Sequence, residues 1–182
     1  KSKKAFGVDK SYNQRDYPGK YDVKDLGLNY RMSEVHAAIG LEQMKKVKNF
    51  LQIRKKNFNL MYKKLKNLKE IFILKNNDKS FISSNYCLSI IFKKRNIFKR
   101  TKVINFLNKN GLGTSIYYPK PVPLMSYYKK KYKYKVKDFK NASTISEQSI
   151  ALPVGPHVSI KNLNFISKKV KESLRLLRWV NF

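Results

Sequence analysis

Gly27-Leu28-Asn29-Tyr30-Arg31-Met32-Ser33-Glu34-Val35-His36-Ala37-Ala38-Ile39-Gly40-Leu41-Glu42-Gln43-Met44 is the stretch on which the reading of this chain turns. Ser33 is a good helix N-cap, and Glu34 in the first turn suits the positive end of the helix dipole. Val35, Ala38, Ile39 and Glu42 share one stripe, and Ala37, Ala38 and Gly40 are small enough for close packing. Beyond Leu41 the apolar positions settle into a three-four spacing through Met44, Val47, Leu51, Phe58, Met61, Leu65 and Leu68, with Arg54 in the one gap. That spacing predicts a long amphipathic helix packed along a single seam. A coiled coil would show the same pattern, but loops before it and strands after it favour packing inside a globular subunit.

On the N-terminal side, residues 1–26 read as loop. Tyr12 to Lys20 is polar and aromatic, closed by the Pro18-Gly19 turn signal, and suits a lid or a surface connection. On the C-terminal side, Ser84 to Phe92 alternates, with Tyr86, Leu88, Ile90 and Phe92 on one face, and predicts a strand. Thr101 to Asn110 predicts a helix with Val103, Phe106 and Leu107 inward, stopped by Gly111. Thr114 to Tyr118 predicts a second strand, ended by Pro119 and Pro121. Asn141 to Ser149 reads as a short helix and Ala151 to Val154 as an extended piece. Ser159 caps a last helix whose Leu163, Ile166, Val170, Leu174 and Leu177 repeat at helical spacing. Helices alternating with short strands make a small α/β layer, a sheet covered by helices.

The formal net charge is +30, from 41 Lys+Arg against 11 Asp+Glu. Such an excess points first to nucleic acid, an acidic membrane surface or an anionic substrate. Seven of the 41 are Arg, leaving 34 Lys. Arg is the residue that planar, bidentate recognition favours. The lysines are spread along the chain and accompany many Asn, Ile, Phe and Tyr, all types with A/T-rich codons, so a base-composition bias explains the set without a binding partner. The single cysteine, Cys87, excludes an intrachain disulfide and is expected to be an inert buried thiol. The apolar runs are too short for a transmembrane span, and no secretory signal is visible. The sequence begins at Lys1-Ser2-Lys3-Lys4 without Met and is expected to be a piece of a longer chain.

Self-contained catalysis finds no support. Phosphate-loop, dinucleotide-binding, nucleophile-elbow and C-x-x-C patterns are all missing from the sequence. His36 and His157 are far apart with no ligand partners nearby in sequence, so no metal site is expected. His36 reads as a packed or interface residue and His157 as solvated. Tyr127 to Tyr134 interleaves tyrosines with lysines. Single-stranded nucleic acid can bind such a pattern by stacking plus charge. A solvated surface whose Lys stems and Tyr rings cover apolar area is the preferred reading, because Arg and Gly are missing from it.

The stretch from Gly27 to Met44 resembles the signature of the DegT/DnrJ/StrS-type sugar aminotransferases at the start of their long helix. The resemblance continues in order. Arg54 and Tyr62 match an R-x-x-x-x-x-x-Y pattern. Gly111 to Pro121 resembles the family's G-I-x-T-x-x-Y-Y-P-x-P, and Ser149 to Pro156 its S-L-P-[IV]-x-P. There is one departure: Pro123 stands where the family often has a histidine, which puts a substrate contact there in question.

The resemblance implies a fold-type-I, pyridoxal-phosphate-dependent aminotransferase, similar in fold to aspartate aminotransferase, of which this chain is the C-terminal small domain with its long linking helix. Residues 1–43 would end the large-domain region and start the helix; residues 44–182 would form the small α/β domain. The implied reaction moves an amino group from an amino acid, glutamate in most members, to a nucleotide-linked keto sugar, in polysaccharide biosynthesis or a related pathway. The lysine that holds the cofactor as a Schiff base lies upstream in the family. No residue here is therefore expected to be catalytic, and the chain is expected to be inactive alone. Asn29 and Arg31 are implied in cofactor binding, Asn29 reaching the phosphate held by the other subunit of a homodimer, and Arg31 serving phosphate or carboxylate or anchoring the loop. Tyr117 and Tyr118 are implied in substrate binding. The expected setting is cytoplasmic, with no membrane or nucleic acid as partner. Two rivals remain: a basic nucleic-acid-binding module and a catalytically inactive remnant of the family.

Overall fold

The computed structural model describes residues 8–9, 22–23, 30, 32–75, 80–93 and 97–179. The chain divides into two compact units, Lys1–Lys46 and Val47–Phe182.

In the first unit, β1 (Val8–Asp9) and β2 (Asp22–Val23) form an antiparallel ribbon with Val8 opposite Val23 and Asp9 opposite Asp22. The ribbon corrects the reading of residues 1–26 as loop; two-residue strands carry no alternation by which to be found. The segment 12–20, read as a lid or connection, lies outside the described residues. The long helix α1 (Glu34–Leu65) starts where Ser33 predicts. The His36 backbone N–H points at Ser33 Oγ at 3.4 Å, and Ala37 N–H donates to the Ser33 carbonyl at 2.9 Å. The first satisfies a first-turn N–H that has no partner within the helix; the second is the helix's first i→i−4 bond, accepted by the N-cap carbonyl. Lys63 and Lys64 occupy the last turn, where cations suit the dipole.

The second unit carries the core. After α1 come β3 (Ile71–Ile73), β4 (Cys87–Phe92), α2 (Ile97–Lys109), α3 (Ser126–Tyr132), α4 (Lys140–Gln148), β5 (Ser149–Pro153) and α5 (Ile160–Trp179). The three strands make an antiparallel sheet in the order β3-β4-β5, with Ile71 opposite Phe92, Leu88 opposite Leu152 and Ile90 opposite Ile150. Period two then places Leu88, Ile90, Phe92, Ile150 and Leu152 on one face. Phe58, Met61 and Leu65 from α1, Val103 and Leu107 from α2, and Leu163, Ile166, Val170 and Leu174 from α5 close over that face as one buried cluster. The α/β architecture, the inward residues of α2 and Leu163, Ile166, Val170 and Leu174 of α5 agree with the sequence reading, except that Phe106 is only partly buried at the edge of the cluster; the side chain of Leu177 lies outside the described residues.

Three elements differ, the first being helix α3, which the reading of Tyr127 to Tyr134 as solvated surface did not include. Thr114 to Tyr118 is not a strand. Ser115 alone pairs with Ala151, exchanging N–H···O bonds of 3.3 and 2.8 Å. Pro119 and Pro121 have no N–H to extend that pairing. The third strand is instead Ile71–Ile73, three residues long and too short for its alternation to stand out. Helix α2 ends as the sequence predicts: Gly111 adopts φ 75° and Leu112 N–H returns to the Leu107 carbonyl at 3.0 Å. This left-handed closure favours glycine. Ser159 caps α5 through Asn162 N–H at 3.2 Å.

Candidate functional site

Arg54 occupies the one charged position of the α1 seam, one turn before the buried Phe58. Burying a guanidinium there would be costly, so the side chain leaves the core and reaches the segment entering β4. Its Nη1 donates to the Tyr86 carbonyl at 2.9 Å, and its guanidinium carbon lies 5.2 Å from the centre of the Tyr86 ring. The Tyr86 ring meets that of Tyr117 at 6.0 Å, and Tyr117 meets Tyr118 edge-on at 5.7 Å. A hydrogen bond with Tyr117 raises the Tyr86 phenol above its ordinary pKa, the Tyr117 charge and burial act the same way, and Arg54 opposes them. Arg54, Tyr86 and Tyr117 thus form one continuous polar and aromatic wall that ends on Tyr118.

The wall borders a pocket of about 220 Å³, lined also by Cys87, Gly113, Ser115, Gly155 and His157 and by the backbone of β5. Cys87 is half-buried, not enclosed as its apolar run suggested, and its Sγ lies 3.8 Å from Ser89 Oγ. It sits on the sheet face opposite Leu88, which explains the difference. His157 is exposed, as the sequence reading has it. Its ring lies so close over Gly155 that a Cβ there would meet Cε1 at 2.7 Å. Asn57 fixes the same turn from beneath. It is buried, and its Nδ2 lies 3.0 Å from the Gly155 carbonyl and 3.1 Å from that of Val158.

Asn29 and Arg31 lie outside the described residues. Tyr117 lines the pocket and Tyr118, in ring contact with it, stands beside the lining; they are 40% and 65% exposed, so both rings are open to a ligand. The sequence reading missed Tyr86 as a site residue and gave Arg54 no role beyond a family pattern. A charged residue interrupting an otherwise apolar seam was the available signal for Arg54. Its partner 32 positions away had none.

Pyridoxal phosphate needs an amine to tether it and donors for its phosphate. Among the described residues, the pocket lining holds one guanidinium, two phenols, a hydroxyl, a thiol and an imidazole, but no lysine and no carboxylate. This pocket therefore does not fit as the cofactor's cradle, and no step of its chemistry belongs to these residues. It fits as a wall against a polar, hydroxylated ligand: phenols donate and accept, rings pack on apolar faces, and Arg54 supplies one positive charge. Among the described residues, no three His, Cys, Asp or Glu side chains gather as metal ligands, and no helix is long and apolar enough to cross a membrane.

Comparison with known proteins assigns the fold and motifs to one group of enzymes. Residues 3–171 match the DegT/DnrJ/EryC1/StrS aminotransferase family, and the chain belongs to that family. It is 31% identical over 160 residues to the protein MJ1066 of Methanocaldococcus jannaschii, a match covering 84% of this chain and 40% of that one. It is 28% identical over 158 residues to the dTDP-4-amino-4,6-dideoxy-D-glucose transaminase of Shigella dysenteriae, covering 86% and 42%. In fold it is similar to the sugar aminotransferase Spr1654 of Streptococcus pneumoniae in its PMP form, with TM-score 0.79 at 22% identity over 94% of this chain and 43% of that one. The chain thus spans about two fifths of the length of the relatives it matches.

Proposed function

We propose that this chain is the C-terminal part of a pyridoxal-phosphate-dependent aminotransferase that moves an amino group from an amino acid, glutamate by preference, to a nucleotide-linked keto sugar. The family match over residues 3–171 carries this reading. The tyrosine wall at the pocket supports it, since paired phenols and an arginine suit a hydroxylated, negatively charged substrate. Tyr117 and Tyr118 bind and orient the sugar-nucleotide, and Arg54 with Tyr86 holds Tyr117 in place. Asn29 and Arg31 serve the cofactor phosphate across a homodimer. The lysine that tethers the cofactor belongs to a part of the protein outside residues 1–182, so this piece is inactive alone. The enzyme works in the cytoplasm.

The test uses the full-length protein with pyridoxal phosphate, glutamate and a panel of nucleotide-linked keto sugars, read as 2-oxoglutarate released and amino sugar formed. Y117F together with Y118F should raise KM for the sugar-nucleotide about tenfold or more, the worth of one or two hydrogen bonds. It should leave the cofactor spectrum unchanged. Borohydride reduction and mass mapping should find the cofactor on a lysine outside this chain. A stoichiometric adduct within residues 1–182, or no amino transfer to any keto sugar, would overturn the reading. Ultracentrifugation of the full-length protein should show a dimer.

A further inference from the structure

Helix α3 has no core face. None of its seven residues is buried, and Tyr127 and Tyr132 are each more than half exposed. A helix this short does not persist through its own hydrogen bonds. What accompanies it is a chain of ring contacts running past its end. Tyr127 meets Tyr128 edge-on at 5.1 Å, Tyr128 stacks on Tyr132 at 6.4 Å, Tyr132 meets Tyr134 at 5.5 Å, and Tyr134 meets Phe139 edge-on at 5.4 Å. Val122 and Val136 lie exposed in the same region. The segment carries Lys129, Lys130, Lys131, Lys133, Lys135, Lys137 and Lys140 against Asp138, with Glu147 lining a hollow beside Lys129 and Val136. Asp138 already accepts from the Lys135 backbone N–H at 2.9 Å. The result is a solvent-facing aromatic strip fringed by positive charge.

The ring geometry separates the partners such a strip could take. A single strand of nucleic acid needs free ring faces on which bases stack. Here Tyr128 and Tyr132 are stacked on each other, and Lys131 Nζ lies over the rings of Tyr127 and Tyr132 at 5.7 and 5.4 Å. The rings contact one another and Lys131, whose Nζ also donates to the Tyr127 hydroxyl at 3.5 Å. Tyrosines presenting a polar tip on an apolar body, with lysine stems flanking them, suit the boundary between water and lipid headgroups. Lysine is a point charge that pairs with headgroup phosphates without bidentate geometry. Peripheral contact of this kind needs no spanning helix.

We propose that the surface formed by α3 and the segment to Phe139 docks on an anionic lipid surface, its tyrosines at headgroup level and its lysines against lipid phosphates. This departs from the expectation of no membrane contact drawn from sequence. The contact is electrostatic, reversible and independent of amino transfer.

The test is sedimentation of the full-length protein with phosphatidylcholine vesicles and with vesicles also containing phosphatidylglycerol, at rising salt. Binding should require phosphatidylglycerol and weaken as salt screens it. The triple variant Lys130→Gln, Lys133→Gln, Lys137→Gln should lose roughly a hundredfold in vesicle affinity, the combined headgroup attraction of three lysines. The matching triple Lys63→Gln, Lys66→Gln, Lys69→Gln, in the last turn of α1 and the segment just after it, should change it less than about threefold, a charge-only effect screened at the surface. Y127S with Y132S should weaken binding while leaving the far-UV dichroism of the core helices intact, since neither side chain is buried. Equal losses in the two lysine triples would show that overall charge, not this strip, binds lipid, and would overturn the proposal. So would binding to neutral vesicles alone, or patch variants that abolish capture of a single-stranded oligonucleotide while vesicle binding persists.

Discussion

Helix α1 carries large apolar side chains through two settings. In its C-terminal half, Phe58, Met61 and Leu65 are buried, the last two at 0% exposure. In its N-terminal half, Val35, Ile39, Leu41 and Met44 are all more than half exposed. The residue types are alike on both sides, and Met44 shares the three-four seam that continues to Phe58, Met61 and Leu65, whereas Val35, Ile39 and Leu41 lie off it. The difference teaches that an apolar stripe states that a face is to be covered and leaves open what covers it. The C-terminal half has its sheet and partner helices within this chain. For the N-terminal half, the chain's two-fifths share of its relatives' length agrees with a cover from the rest of the protein or from a second subunit, as proposed above.

The comparison breaks most directly by truncation on both sides. Leu65→Ala should destabilise residues 1–182 by about 2–5 kcal/mol, the usual cost of a cavity in a closed core. Met44→Ala should change it by less than about 0.5 kcal/mol, as exposed positions do. Urea unfolding of the two variants reads both. Equal effects would mean the two halves do not differ as described. In the full-length protein, Met44→Asp should weaken dimer formation in ultracentrifugation while Met44→Ala leaves it largely intact.

A smaller effect is expected at Asn57, a polar residue within the buried half. Asn57→Ala takes the side-chain donor from the Val158 and Gly155 carbonyls, the latter keeping the Val158 N–H, at a cost of about 1–3 kcal/mol by urea unfolding. Asn57→Asp should be worse than alanine, because a carboxylate has no N–H to offer and cannot be solvated there. Recovery of full stability in Asn57→Leu would show that packing, not donation, is what the site requires.

The same contrast explains what was legible in the sequence. Helices α1, α2 and α5 declare themselves because each repeats an apolar position over several turns and is bounded by a residue with a physical reason to be there: Ser33, Gly111 and Ser159. Strand β4 declares itself by six residues of alternation. Strand β3 does not, because three residues carry too little pattern, and its pairing with β4 is a tertiary fact. The pocket was half legible. Tyr117 and Tyr118 were found through a family motif, while Tyr86 joins them only because the chain returns to Arg54 from 32 residues away. The solvated reading of Tyr127 to Tyr134 was right about exposure, but the ring ladder depends on helix α3, which the sequence did not announce. Asn29 and Arg31 rest on resemblance alone.

Arg54 tests the boundary between the two halves, where the seam first turns polar. Arg54→Lys keeps the charge but loses the planar group that both donates to the Tyr86 carbonyl and lies over its ring. A loss of about 0.5–1 kcal/mol in unfolding free energy is expected, because the contact is exposed. Its sharper readout is the proposed reaction: KM for the sugar-nucleotide should rise in the full-length enzyme while kcat changes less, as expected when a positioning residue loosens Tyr117. An unchanged KM would confine Arg54 to holding the fold.

The smallest effect is a titration, and it isolates the wall from the rest of the molecule. The Tyr86 phenol is raised first by its hydrogen bond with Tyr117, and Arg54 pulls the other way. Tyr117→Phe should therefore lower the Tyr86 pKa toward the ordinary tyrosine value of about 10, whereas Arg54→Gln should raise it further. Absorbance of the phenolate, taken as the difference from Tyr86→Phe, measures both. The sign fixes the accompanying stability change. A pKa raised by folding means the native state favours the neutral phenol, so that contribution is fully present below the ordinary tyrosine pKa and is lost as pH rises through the raised value. Wild type should lose stability in that alkaline window by slightly more than Tyr117→Phe does. Should the two variants shift the pKa in the same direction, the Arg54–Tyr86–Tyr117 series would not be one connected wall, and the positioning role of Arg54 would fall with it.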